Sequence, residues 1–206
     1  MTEIFLAAYA ALFSVVNPLG AVPVFLAMTP QDTPKERKKT AQNSSIYFLL
    51  ILLSFFFAGS GILGFFGITL SSLRIAGGII IFGSGLQLLS GKMAQSRAIN
   101  NEVKAEAIEK EDISFTPLAM PLLSGPGSIS LVIGYFAEFS DWPSRGAIIL
   151  SVIAVALTVF IILRTSPLIF KVLGVAGIKA ISRIMGFLVM AIGIELIISS
   201  FQQIFG

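Results

Sequence analysis

The sequence predicts an all-α membrane protein of six transmembrane helices, arranged as two three-helix repeats of inverted topology, with helices 1 and 4 broken near the midplane. Three observations lead there. The 206 residues are 55% hydrophobic and only 12% charged, with a mean hydropathy of +0.92, whereas ordinary soluble domains run at roughly 45–50% apolar and about 25% charged. Six apolar stretches divide the chain, and six spans of about 20 residues would use roughly 120 positions, close to the hydrophobic content available. Short motifs also recur in the same order in the two halves.

The first stretch, 4–28, follows Met1-Thr2-Glu3. That start carries no positive charge and the stretch is longer than a signal-peptide core, so it is expected to stay in the membrane. The second, 45–66, contains Phe55-Phe56-Phe57, read as lipid-facing or core-filling. The third, 73–89, opens at Arg74 and carries Gly77, Gly78, Gly83 and Gly85, which let helices approach closely. A polar segment, 91–112, with four basic and five acidic residues reads as a solvated linker. It divides the chain into a first repeat, 1–90, and a second, 113–206. The remaining spans are 115–137, 147–163 and 184–205. Segment 165–180 is ambiguous, either extending the fifth helix or lying along the interface.

Charge orients the bundle. Six spans sort the loops into two sets, and the Lys and Arg residues divide twelve to two, with only Arg74 and Arg145 on the minority side. The positive-inside rule then makes the loops after spans one, three and five cytoplasmic and places both termini outside.

The repeat rests on three matches. Asn17-Pro18-Leu19-Gly20 lies inside the first span and Ser124-Gly125-Pro126-Gly127 inside the fourth, with Pro18 and Pro126 separated by 108 positions. Leu73-Arg74-Ile75-Ala76-Gly77 answers Ser182-Arg183-Ile184-Met185-Gly186. Gly67 and Gly174, ahead of these arginines, correspond once a two-residue gap is allowed. Three spans per half is an odd number, so the second half enters the membrane from the opposite side. Paired broken helices in inverted repeats are characteristic of secondary transporters.

A proline within a helix removes a backbone donor and clashes with the carbonyl four residues earlier. In hydrocarbon the freed groups survive only where protein or a polar cavity surrounds them. Facing breaks would offer free N–H groups at one half-helix start and free carbonyls at another's end. Those poles suit a zwitterion, carboxylate toward the helix N-terminus and ammonium toward the carbonyls. The candidate substrate residues are therefore Asn17, Pro18, Leu19, Gly20, Ser124, Gly125, Pro126, Gly127 and Ser128, with Asn17, Ser124 and Ser128 supplying side-chain hydrogen bonds. The competing reading is a pair of ordinary kinks. Pro23, Pro117 and Pro121 are read as shaping the approach to the breaks.

Glu195 is the charged residue expected well inside a span, and Gln87 occupies the matching place in span three. Both are candidates for coupling to H+ or Na+, and equally for plain bonding across helices. Arg74 and Arg183 each begin a predicted span, where a cation opposes the helix dipole. They are read as anchored to lipid headgroups or a loop carbonyl, with substrate contact as the alternative.

Composition excludes much chemistry. With no histidine and no cysteine there is no Ser–His dyad, thiolate nucleophile, disulfide or His/Cys metal site. HExxH and phosphate-loop motifs are absent too, so no enzyme activity, bound cofactor or metal is expected. The net charge of +3 follows topology, and no basic run interleaved with aromatics suggests nucleic acid.

The motifs Asn-Pro-Leu-Gly at 17–20, Arg-Ile-Ala-Gly-Gly at 74–78, Pro-Leu-Leu-Ser-Gly-Pro-Gly at 121–127 and Ser-Arg-Ile-Met-Gly at 182–186 resemble the MarC family of integral membrane proteins, in matching order over essentially the whole chain. The resemblance implies a six-helix protein of the bacterial inner membrane, grouped with transporters of small neutral amino acids such as glycine and alanine. It lends no acid at Glu195, where the family more usually has an amide. The expected function is thus a secondary transporter of the glycine, alanine and serine class. The alternative is a passive channel, or an exporter of other small solutes. The expected partners are substrate and bilayer, with self-association left open.

Overall fold

The computed structural model describes residues 1–90 and 113–205, so the expected linker, 91–112, lies outside the described residues. Helix α1, Thr2–Val16, stops because Asn17 turns left-handed at φ 47° and Pro18 brings no N–H. The Asn17 amide closes α1 on the Phe13 carbonyl at 2.9 Å. Its side-chain oxygen accepts the Gly20 N–H at 3.2 Å and so opens α2, Pro18–Met28. One residue therefore caps two helices. Arg37 caps the far end of α2, donating to the Thr29 carbonyl at 2.6 Å.

α3, Pro34–Phe66, begins about ten residues earlier than the apolar stretch. A capping box between Thr33 and Glu36 nucleates it, and the basic turns Lys35, Arg37, Lys38 and Lys39 prolong the helix beyond its apolar part. Gly67 ends it at φ 65°. Thr69 caps α4, Leu70–Leu89, by accepting the Ser72 N–H at 3.2 Å.

The second half opens irregularly. Ser114–Leu123 is wound too wide for an α-helix, is non-helical at Thr116 and Met120, and has cis peptide bonds before Pro117 and Pro121. It meets α5, Pro126–Glu138, at a bend of 68°. The distortion thus starts well before the expected break at 124–127, because Pro117 and Pro121 each remove a donor from the helical ladder. α6, Trp142–Arg164, starts at an Asp141 cap on the Ser144 N–H, 2.8 Å.

α7, Ser166–Phe205, resolves the ambiguous segment 165–180. α6 ends at Thr165, so the segment does not extend the fifth helix. It forms the first part of α7, which turns at Gly174, φ 60° and ψ −177°, a conformation essentially reserved for glycine. Arg183 consequently sits within α7 and does not begin a helix.

Among the described residues, five helical segments, counting α1–α2 as one, are long and apolar enough to cross a membrane, and the bent pair of Ser114–Leu123 and α5 makes up to a sixth. The first segment is the most enclosed of them, so its break at Asn17 lies in the interior. Phe25, Phe48, Leu52, Phe56, Leu118 and Ile148 are among the side chains buried completely around it. Phe57, beside Phe56, is exposed, as are Leu150, Leu157, Ile161, Phe187 and Ile198. An apolar outer surface of this extent suits lipid as solvent.

α4 runs along α7 on a glycine seam. A Cβ on Gly78 would lie 2.6 Å from the Gly193 carbonyl oxygen, and one on Gly193 would lie 2.7 Å from that of Gly78. Gly85 and Gly186 are related in the same reciprocal way, at 2.7 and 2.9 Å. Any side chain at these four positions would force the backbones apart.

Candidate functional site

The end of α1 meets the start of α5. A Cβ on Gly127, in the first turn of α5, would lie 3.2 Å from Val15 at the end of α1 and 2.8 Å from Ile81 of α4. Glycine at 127 therefore lets the start of α5 close on the first break. Gly20 serves the same end locally, because the Asn17 carboxamide occupies the space its Cβ would need.

Asn17 and Ser124 are each 1% exposed. The Asn17 Nδ2 and the Ser124 Oγ have no hydrogen-bond partner among the described residues. A buried polar atom left unpaired costs about 1–3 kcal/mol unless a ligand or water completes it, and the hydroxyls of Ser44 and Ser166 are the other two such atoms among the described residues. Ser128 is equally buried but satisfied, donating to the Gly125 carbonyl at 2.9 Å. No side chain caps the N-terminus of α5. Pro18 and Gly127 are buried, Leu19, Gly20 and Gly125 half-buried, and Pro126 exposed.

An open, largely apolar groove of about 340 Å³ lies beside Ser124, with Ile80, Met120, Pro121 and Pro126 exposed along it. α4 lines it with Leu73, Gly77 and Ile80, and the second break with Pro121, Ser124, Pro126 and Ser130. Ser130 reaches across, its Oγ donating to the Leu73 carbonyl at 3.3 Å and filling the space a side chain at Gly77 would need. A second open groove of about 240 Å³ lies beside Tyr135 and Phe139, between them, Glu3 and Ala7 of α1 and Ile148 of α6.

The charges arrange differently from the expectation. Arg74, expected on lipid headgroups or a loop carbonyl, is 6% exposed and pairs with Glu138 at the end of α5, Nη2 to Oε2 2.5 Å. Its Nη1 donates to Gln203 of α7 at 3.3 Å. Each charge opposes its own helix dipole, Arg74 near the start of α4 and Glu138 at the last residue of α5, and the pair resolves both conflicts. Glu195 and Gln87, by contrast, are exposed on the outer surface of the bundle. Among the described residues the buried charge is Arg74, whose need for a partner is evident in the sequence but whose partner, Glu138, is not. Arg145 closes the same end of α5, donating to the Phe139 and Phe136 carbonyls at 2.8 and 3.2 Å and stacking 3.9 Å over the Phe136 ring.

Apolar helices with a buried, broken interior and an apolar exterior define an integral membrane protein that crosses the bilayer several times. The chain belongs to the MarC family of integral membrane proteins, whose profile matches residues 2–205. It is similar to a UPF0056 membrane protein of Buchnera aphidicola subsp. Schizaphis graminum, 38% identical over 98% of this chain and 94% of that protein. The UPF0056 membrane protein YhcE of Escherichia coli is 36% identical, over 96% of this chain and 91% of its own length. A third relative, from Pyrococcus abyssi, is 36% identical over 96% and 94%. No solved structure matches the chain.

Proposed function

We propose that this protein is a secondary transporter moving small neutral amino acids, of the glycine, alanine and serine class, across the inner membrane by alternating access. The carrying observation is the pair of unsatisfied atoms, Asn17 Nδ2 and Ser124 Oγ, one from each break, where the end of α1 meets the start of α5 at Val15 and Gly127. An amide donor, a hydroxyl and an uncapped helix start are the groups a carboxylate and ammonium would use, with no fixed countercharge selecting a net charge.

The inverted repeat has support of its own. Gly78 and Gly186 are 108 positions apart, as are Gly85 and Gly193, the same separation as Pro18 and Pro126. Exchanging the halves therefore turns the Gly78–Gly193 contact into the Gly186–Gly85 contact, the self-complementary pattern of a two-fold relation. Gly67 and Gly174, matched in sequence, are the positive-φ glycines of the described residues. In this reading the site lies near the midplane, where the halves meet, and both termini face outward.

Counterflow of glycine, alanine and serine in proteoliposomes, repeated under imposed proton and sodium gradients, tests the proposal and identifies a coupling ion. Saturable counterflow is expected, with Asn17→Ala and Ser124→Ala each lowering it about tenfold, the loss of one hydrogen bond. Linear flux without counterflow would make the protein a channel. No movement under any gradient would remove the reading altogether.

A further inference from the structure

α7 is longer than a bilayer crossing requires. Its 40 residues, at about 1.5 Å each, would reach about 60 Å if straight, twice the roughly 30 Å of hydrocarbon. Tilting takes up only part of that excess. The apolar stretch 184–205 suffices for the crossing, which leaves 166–183 beyond the hydrocarbon, at the end of the bundle opposite the Arg74 and Gln203 contact. Gly174 turns the chain within this stretch, so 166–173 departs from the axis of the span.

The outlying stretch suits neither water nor hydrocarbon. Leu168, Val172 and Val175 are 62%, 74% and 54% exposed, too much apolar surface for water. Arg164, Lys171, Lys179 and Arg183 are exposed along the same segment, too much charge for hydrocarbon. Both sets are satisfied at the boundary, where apolar side chains enter the acyl region and long cations snorkel toward headgroups.

These cations also lack protein partners. Arg37, Arg74 and Arg145 are each engaged within the fold, on the Thr29 carbonyl, on Glu138 and on the Phe139 carbonyl. Arg164 has the Phe160 ring 6.0 Å away, and none of the four forms an ion pair among the described residues. No Asp or Glu occurs between Asp141 and Glu195, so the segment carries no acid of its own. The start of α3 differs, because Lys35, Lys38 and Lys39 share it with Asp32 and Glu36.

We infer that 164–183 is a docking surface for anionic phospholipid headgroups of the leaflet it faces. Arg164, Lys171, Lys179 and Arg183 meet the headgroup charge, and Leu168, Val172 and Val175 seat among the acyl chains. Each Lys or Arg held near an anionic membrane surface adds to the attraction. This surface follows from the placement of α7 and does not depend on the transport reading.

Trp142 is the chain's single tryptophan, so Trp142→Phe with Val172→Trp puts one fluorophore on the segment. The full chain is reconstituted in phosphatidylcholine vesicles containing a lipid brominated on its acyl chains, either phosphatidylglycerol or phosphatidylcholine. Quenching is followed against the mole fraction of brominated lipid. Phosphatidylglycerol should bind beside the reporter about fivefold more tightly than phosphatidylcholine, the contribution of one Lys or Arg at an anionic surface. Lys171→Gln, Lys179→Gln and Arg183→Gln together should abolish that preference. Lys35→Gln, Lys38→Gln and Lys39→Gln remove the same charge from the start of α3 and should leave it intact; all six side chains are exposed. No quenching by either lipid would put the segment in water, and equal quenching by both would make the contact purely apolar. A preference that survives the first triple variant, or that falls equally in both, would belong to other parts of the chain or to net charge. Any of these four results would overturn the docking surface.

Discussion

Gly85→Ala adds one methyl group where the structure leaves no room. Its Cβ would lie 2.5 Å from Met190 Cγ, 2.7 Å from the Gly186 carbonyl oxygen and 2.8 Å from the Met190 amide nitrogen. Comfortable contacts lie at about 3.5–4.0 Å, so α4 and α7 must part by about 1 Å. Two of the three obstructing atoms belong to backbone and cannot rotate aside. Overpacking of this kind costs about 1–3 kcal/mol, against which alanine's better helix propensity returns about 0.8–1 kcal/mol. The net loss against the parent is at most about 2 kcal/mol, or up to roughly 8 °C in melting temperature for a chain of this size. The difference from a glycine substitution without the clash keeps the full cost of about 1–3 kcal/mol. Gly83→Ala, two residues away on the same helix, is the control, since its Cβ meets nothing within 4 Å. That variant keeps the propensity gain and should melt at or above the parent. Both are measured by thermal unfolding of the purified protein in one detergent. If Gly85→Ala proved as stable as Gly83→Ala, the glycine seam would not hold the halves together and the two-fold argument built on it would fall.

Gly174→Ala meets no neighbouring atom, yet φ 60° with ψ −177° is strained for any side chain; it should lower the melting temperature by the equivalent of about 1–3 kcal/mol. Gly67→Asn, at φ 65° and ψ 25°, should cost far less, since asparagine tolerates the left-handed region. Hydrogen bonds from the Ser144 side chain and then its backbone hold Asp141 below its ordinary value of 3.8. A depressed folded-state value stabilises above that pH and is lost as pH falls through the folded value, so melting of the native protein should decline there more steeply than that of Asp141→Asn. Glu195→Gln should leave counterflow and its pH dependence unchanged, because that carboxylate lies on the outer surface and not at the breaks; a flattened pH profile would return Glu195 to the transport cycle.

The helical class and the family were legible in the sequence because each is written locally. Hydropathy marks a span wherever about 20 apolar residues run together. A proline within a span cannot complete the helical ladder whatever surrounds it, so Asn17-Pro18 and Gly125-Pro126 stood out as candidate breaks. The lengthening of α3 back to Pro34 was also written, in the Thr33 and Glu36 capping box, but lay outside the apolar pattern that located the span.

Tertiary structure alone decided which charge is buried. Arg74 and Glu138 are 64 residues apart, and nothing in either neighbourhood records that α4 and α5 bring them together. Glu195 looked interior because its span is apolar, yet depth along a helix does not say which face a residue occupies. That depends on what the helix packs against. The same holds for the open grooves beside α5 and for the meeting of Val15 with Gly127. A chain can state where its helices break from local chemistry, but whether two breaks face one another is a matter of packing among all the helices at once.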